Sequence, residues 1–241
     1  MGGAFARVVY VARTGSTNED AAELLGDDAA LGMTIVAEEQ TRGVGRKGRS
    51  WTAPAGSALL FTTILPREIP TDDLWIVPFW AALCIRDALA GAGVDAALHW
   101  PNDLLLNDKK LAGILCASRI LGKRARVACG VGINVFRAAG AALDPPPAYC
   151  DDVANVERPV LLARILERFG DELRRLADTG AVARRWEAAA NVPGQRYRLL
   201  LDGERVPFEA TAVALAAGGG LVVERDGRQE TIALADARSL R

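Results

Sequence analysis

The apolar positions change period several times along the chain, and each change predicts a new element. "STNEDAAELLG" opens with Ser16 and carries Glu19 three residues later, which predicts a capping box and a helix ending near Gly26. "GMTIVAEEQ" alternates Met33, Ile35 and Ala37 with polar or exposed positions, the period of a strand. "SALLFTTILP" predicts a second strand, stopped by Pro66. "DDLWIVPFWAALCIRDALAGAG" has a helical period, with Asp72 or Asp73 as cap and Gly91 as stop; Pro78 either bends it or marks a late start. "AALHWPNDLLLNDKKLAGILCASRI" predicts two strands joined at Asn107-Asp108, a turn pair. "RVACGVGINVF" is one more buried strand. The Ala, Pro and Asp of residues 137–158 predict a long surface loop, followed by two amphipathic helices in "RPVLLARILERFGDELRRLADTG" and "AVARRWEAAAN".

Composition shifts at "NVPGQ", after which only short strand patterns with Gly and Asp turns remain. The expected architecture is α/β: a mixed-sheet domain over residues 1–192 and a small β-barrel-like domain over 193–241. No internal repeat stands out.

Half of the 241 residues are hydrophobic and the net charge is −1, so a sizeable core forms and a broad basic face for nucleic acid is excluded. Cys84, Cys116, Cys129 and Cys150 show no paired spacing, and His99 is the single histidine; a structural zinc site is not expected. Neither a signal peptide nor a membrane-spanning run is visible, and the expected setting is the cytoplasm.

Against this near-neutral background, "EEQTRGVGRKGRSW" (residues 38–51) concentrates Arg42, Arg46, Lys47 and Arg49. Gly43, Gly45 and Gly48 spell a dinucleotide fingerprint, and Gly43 to Ser50 nearly spells a P-loop. Both need a helix after the loop to receive phosphate. Here "SWTAPAGSALLFTTIL" follows, broken by Pro54 and Gly56 and then strand-like. What remains is a glycine loop between two strands whose cations suit a phosphate or carboxylate, or else a solvated basic hairpin. Trp51 and the three glycines favour the ligand.

Four blocks then stand in order: "STN" (16–18), the glycine-arginine loop, "HWPNDLLLNDKKLAGIL" (99–115) and "GVGIN" (130–134). Together they closely resemble the biotin–protein ligases, whose versions read S-T-N, Q-x-x-G-R-G-R-x-G-R-x-W, K-W-P-N-D, K-L-x-G-I-L and G-x-G-I-N. Val44 and His99 depart, standing where the family has arginine and lysine. The resemblance implies a mixed-sheet catalytic domain of the biotin/lipoate ligase type with a small C-terminal SH3-like β-barrel. It also implies the enzyme-only type, without the N-terminal DNA-binding domain of some members.

By that resemblance, the biotin carboxylate attacks the α-phosphate of Mg-ATP. Biotinyl-5′-AMP and pyrophosphate form, and a lysine of a biotin carboxyl carrier protein of an acyl-CoA carboxylase then takes the biotinyl group. The resemblance makes Lys110 the principal cation and Arg46 the phosphate ligand that closes the loop. Biotin contacts are expected from Ser16, Thr17, Asn18, Gln40, Gly43, Val44, Gly45, Arg46, Lys110 and Gly113. Nucleotide contacts are expected from Arg46, Arg49, Trp51, Asn102, Asp103, Lys110 and Asn134. Asp103 either steers the attacking lysine or holds Mg²⁺, which otherwise arrives with ATP; no prosthetic group is implied. His99 would be a pH-dependent cation near the nucleotide or the incoming lysine. The expected oligomeric state is a monomer or weak homodimer, with no nucleic-acid or membrane partner. The competing readings are a lipoate or octanoate ligase and a non-catalytic biotin- or nucleotide-binding module.

Overall fold

The computed structural model describes residues 3–138, 145–234 and 237–240. An eight-stranded mixed sheet forms its centre. Strands β1 (Arg7–Thr14), β2 (Met33–Gln40), β3 (Ala58–Ile64), β4 (Ile69–Pro70), β5 (Ala97–His99), β6 (Asp103–Leu106), β7 (Lys109–Leu121) and β8 (Arg124–Asn134) take the order β1-β2-β3-β8-β7-β6-β5, with β4 also pairing β8. Only β1 and β2 run parallel; the other pairs are antiparallel. Edge strand β1 was not expected, because "RVVYVART" leaves its side chains exposed or half-exposed and has no buried alternation to read.

The two faces of the sheet serve different purposes. Every residue of β3 is buried, as a strand covered on both sides must be. On one face, α2 (Ile76–Ala90), α3 (Arg158–Glu172) and α4 (Thr179–Ala189) pack against Leu59 and Phe61 of β3 and Val127, Cys129, Val131 and Ile133 of β8. Trp80, Phe169 and Trp186 fill the space between these helices. On the other face lies the short helix α1 (Thr17–Glu23), whose Ala21 packs with Leu25, Ile35, Ile64 and Ala128. Between Cys129 and Asn134 the alternation therefore sends bulky residues to the helices and leaves Gly130, Gly132 and Asn134 toward α1.

Four local expectations need correction. Ser16 is the N-cap of α1 by its extended backbone, yet its side chain makes no cap hydrogen bond. Glu19 pairs with Arg42 (3.2 Å), so the side chain that would complete the predicted capping box is used elsewhere, and the Thr17 N–H of the same turn donates to Gln40 Oε1 (2.8 Å). Asp72 and Asp73 form a separate 3₁₀ turn and do not cap α2, which begins at Ile76 with Pro78 inside its first turn; there a missing N–H costs nothing. The hairpin at Asn107-Asp108, both at positive φ (50° and 60°), joins β6 to β7 as predicted, but β5 adds a third strand to the group. Finally, the stretch 137–158 is not wholly a surface loop. Ala148, Tyr149 and Cys150 are buried, and the Ala148 N–H donates to the Lys110 carbonyl (2.9 Å); residues 139–144 lie outside the described residues.

All four cysteines are free thiols, and Cys84, Cys129 and Cys150 are buried. Burial pushes the Cys150 thiol up to about 12. Among the described residues, no helix is long and apolar enough to cross a membrane.

The C-terminal part is a five-stranded antiparallel sheet of β9 (Arg196–Leu201), β10 (Phe208–Leu215), β11 (Leu221–Arg225), β12 (Arg228–Ile232) and β13 (Ala237–Leu240), in the order β12-β11-β10-β9-β13. Among the described residues the expected barrel is not closed: β12 and β13 are the two ends of the path. This sheet packs on the β5–β6 turn. Trp100 is fully buried, with its indole N–H donating to the Gly219 carbonyl (3.0 Å) and its backbone N–H to the Tyr197 hydroxyl (3.2 Å). Burial raises the Tyr197 phenol to about 12, opposed by that bond from Trp100, so it stays a neutral hydroxyl at physiological pH. Tyr197→Phe leaves the Trp100 N–H without its acceptor in a dry interface. The expected cost is about 1–3 kcal/mol of stability, measured by urea denaturation at fixed pH; an unchanged midpoint contradicts the role given to this bond.

Candidate active site

The site is built on glycines. A Cβ on Gly132 would stand 2.6 Å from the Trp51 ring, and one on Gly130 would stand 2.4 Å from Asn18 Oδ1. One on Gly113 of the neighbouring strand would meet Trp51 at 3.1 Å and Lys110 Nζ at 3.2 Å. These three residues let an indole, an amide and an ammonium lie against strand backbone. Gly113 and Gly132 are register partners across β7 and β8, which explains how one tryptophan covers both.

The arginine loop reaches over this floor as a short hairpin. The Gly45 N–H donates to the Arg49 carbonyl (2.6 Å) and the Trp51 N–H to the Gly43 carbonyl (2.8 Å). The apex is a 3₁₀ turn, Arg46–Gly48, in which Lys47 and Gly48 have φ of 56° and 71°. Gly43 is needed for the closure itself, since a Cβ there would lie 2.4 Å from the Trp51 carbonyl.

Beneath the loop lies a cavity of about 250 Å³. Ser16, Thr17, Asn18, Gln40, Val44, Gly45, Arg46, Arg49, Trp51, Asn102, Lys110, Gly113 and Asn134 line it, so thirteen of the fifteen residues expected at the site converge. Gly43 and Asp103 do not line it; the first shapes the loop and the second stands behind Lys110. His99 is also outside the lining. It is buried with its ring centroid 4.7 Å from that of Tyr197, against the C-terminal sheet.

One wall is a polar relay at the start of α1. Gln40 Oε1 accepts from both the Thr17 N–H and hydroxyl (2.8 and 2.9 Å). The Thr62 hydroxyl lies 2.8 Å from the Thr17 hydroxyl, and the Asn18 amide donates to the Leu115 carbonyl (3.0 Å). The Ser16 hydroxyl, only 1% exposed, has no hydrogen-bond partner among the described residues, and neither has the Trp51 indole N–H. A buried polar atom left in that state costs about 1–3 kcal/mol, so both point to a ligand that completes them.

A second group of lining residues carries positive charge. Lys110 Nζ lies 2.7 Å from Asp103 and 5.4 Å from the Trp51 ring centroid. Asp103 is nearly buried and Lys110 partly so, which gives the ammonium a fixed direction at the cavity edge. Its carbonyl accepts from Asn134 Nδ2 (3.2 Å) and from the Ala148 N–H. Asn102 ties into β7, its amide donating to the Ile114 carbonyl (2.6 Å), and its Oδ1 faces Arg46 Nη1 at 3.5 Å. The Arg46 guanidinium also donates to the Leu234 carbonyl. Burial lowers its pKa and Arg49 acts in the same direction, while Asp103 and Asp202 pull it back up; a guanidinium stays charged under these conditions.

Thr62, Gly130, Gly132 and the prolines Pro145 and Pro147 also line the cavity and were not assigned to it from sequence. Thr62 carried a signal, being a polar residue within the apolar run of β3. The two prolines carried none, since only the fold brings that loop to the site. Among the described residues, no group of three or more His, Cys, Asp or Glu side chains is arranged to hold a metal ion.

Comparison with known proteins finds relatives of both the sequence and the fold. The Biotin/lipoate A/B protein ligase family matches residues 10–134, just over half of the 241 residues. The bifunctional ligase/repressor BirA of Bacillus spizizenii is 35% identical over 130 residues, covering 53% of this chain but only 40% of its own length. The biotin–[acetyl-CoA-carboxylase] ligase of Paracoccus denitrificans is 38% identical over 146 residues, 57% of this chain and 58% of that protein. The ligase of the same name from Mycobacterium tuberculosis is 28% identical over 249 residues, covering 100% of this chain and 91% of that protein. In structure, the biotin protein ligase of Aquifex aeolicus in complex with biotin and ATP superposes with a TM-score of 0.79 at 21% identity, over 98% of this chain and 100% of that one. At such identity the likeness speaks for the fold, and it extends through the C-terminal sheet. By sequence, and in agreement with its fold, the chain belongs to the biotin/lipoate A/B protein ligase family.

Proposed function

We propose that this chain activates biotin with ATP and transfers it to a lysine of a biotin carboxyl carrier protein. The observation that carries the reading is one cavity with two unlike ends. At one end lie the buried, unpartnered Ser16 hydroxyl and the Gln40–Thr17 relay; at the other lie Lys110, Arg46 and Arg49. A ureido ring offers both donors and acceptors to the first, and its carboxylate reaches the second. Relatives named biotin–[acetyl-CoA-carboxylase] ligase, and biotin protein ligases solved in complex with biotin and ATP or with biotinyl-5-AMP, support the same assignment.

The first step unites two anions, a carboxylate and the α-phosphate, with loss of pyrophosphate. Its principal need is preorganised positive charge and not a protein nucleophile. Lys110, aimed by Asp103, neutralises the carboxylate and then the acyl phosphate. Arg46 binds the phosphate of the adenylate and holds the loop shut against water, and Arg49 faces the departing pyrophosphate. Trp51 offers its ring to the adenine and its N–H to a polar atom of the ligand. Ser16, Thr17, Asn18 and Gln40, with Val44, Gly45 and Gly113, enclose biotin; Asn102 and Asn134 border the nucleotide.

Val44 serves through its backbone, which bridges to Ser50, so the arginine of relatives is not needed to form the hairpin. Mg²⁺ arrives with ATP and shields the phosphates. Asp103 does not suit it as a dedicated ligand, because its carboxylate is engaged by Lys110. The C-terminal sheet corresponds to an SH3-like module, with the boundary near residues 192 and 193.

ATP–pyrophosphate exchange tests the reading. Exchange is expected with biotin and not with lipoate, octanoate or no acid; exchange with lipoate alone keeps the chemistry and overturns the substrate. Lys110→Ala is expected to lower biotin-dependent exchange about 10²–10³-fold with the unfolding transition retained, and an unchanged rate removes Lys110 from the reaction. Arg46→Gly is expected to release biotinyl-adenylate into solution about 10–100-fold faster; wild-type retention contradicts the closing role.

A further inference from the structure

The loop over the cavity has few attachments beyond its own hairpin. Among the described residues, the side chains of its apex make three bonds to distant elements: Arg46 to Asn102, Arg46 to the Leu234 carbonyl, and Lys47 to Asp202. Two of the three reach the C-terminal part, at Leu234 just after β12 and Asp202 just after β9, across 188 and 155 residues of sequence. Lys47 Nζ lies 2.5 Å from Asp202, and the lysine side chain is only 20% exposed although it stands at a loop apex. Asp202 sits at the turn after β9, and that turn belongs to a sheet bonded to Trp100 through Gly219 and Tyr197. The hairpin tip is thus paired with a point on another layer.

We infer that Asp202 is a positioning residue that latches the arginine loop through Lys47, so that the C-terminal sheet governs how long the loop stays closed over the activated intermediate. Lys47 is paired with Asp202 and does not line the cavity, so it carries no role in the chemistry. Its charge holds Arg46, the adjacent residue, at the cavity mouth. The assignment rests on the biotin-activating reading for the identity of the intermediate, but not for the latch itself.

The backbone permits a clean test. In the Asp202 turn the positive φ belongs to Gly203 (85°), so residue 202 accepts other side chains. Lys47 has φ of 56°, a region that aspartate tolerates well. The variants are Asp202→Lys, Asp202→Glu and the exchanged pair Lys47→Asp/Asp202→Lys.

Amide hydrogen exchange of residues 44–50 without ligand reads the latch directly. Asp202→Lys is expected to speed exchange by roughly two- to fivefold, the range of a partly exposed ion pair. Asp202→Glu and the exchanged pair are expected to return it to the wild-type rate. In parallel, loss of biotinyl-adenylate from gel-filtered protein is expected to quicken by about the same factor in Asp202→Lys only, since such changes fall on dissociation. Loop exchange that is unchanged in Asp202→Lys overturns the inference. So does a rise that the exchanged pair fails to reverse, because the effect then belongs to the turn and not to the pair. A wild-type protein that forms no adenylate refutes the biotin reading, while hydrogen exchange still decides the latch.

Discussion

The site depends on three positions, Gly113, Gly130 and Gly132, where strand backbone must be approached more closely than any side chain allows. A single methyl group at Gly132 would collide with Trp51, and one at Gly130 with Asn18. Because Trp51 ends the arginine loop, the floor also fixes where that loop returns to the sheet. Because Asn18 stands in the first turn of α1, it fixes the helix that presents Ser16 and Thr17 as well. The polar wall and the cationic wall are both positioned by contact with the same two strands.

Electrostatics completes what packing begins. Lys110 is held at 2.7 Å by a carboxylate that is itself nearly buried. A pair of this kind is not a source of stability in itself, since desolvation offsets most of the attraction. Its value is direction: the ammonium keeps one orientation at the cavity edge while the Lys110 backbone carbonyl accepts from Asn134 and Ala148. Arg46 and Arg49 add charge from the loop, and Asp103 and Asp202 offset their mutual repulsion. The cavity thereby gathers cations, an arrangement suited to joining two anionic substrates.

Much of this was legible in the sequence, for reasons that can be named. The strand–loop–strand context of Gly43 to Trp51 ruled out both familiar phosphate loops, and the structure puts β3 where those loops need a helix. The Asn107-Asp108 turn placed Lys110 at the start of a strand, as observed. Other features were hidden because local sequence is ambiguous. A serine followed three residues later by glutamate signals a capping box, and the same serine can instead turn its hydroxyl inward; only the fold, in which Glu19 pairs with Arg42 and Ser16 makes no cap bond, distinguishes the two. His99 sits one residue before Trp100 and three before Asn102, yet its partner Tyr197 lies 98 residues away. Edge strand β1 lacked the buried alternation by which strands are read, and the prolines at 145 and 147 reach the cavity solely through tertiary structure. The bonds from Lys47 and Arg46 to the C-terminal sheet were likewise invisible, being properties of two layers meeting.

The central claim is that this cavity joins biotin to AMP and keeps the product. Its most direct test is to incubate the purified chain with biotin and Mg-ATP, remove small molecules by rapid gel filtration, and identify what stays bound by mass spectrometry. The account predicts biotinyl-5′-AMP retained at about one per chain, with pyrophosphate released in equal amount. Protein that emerges without adenylate, with ATP intact, would contradict it.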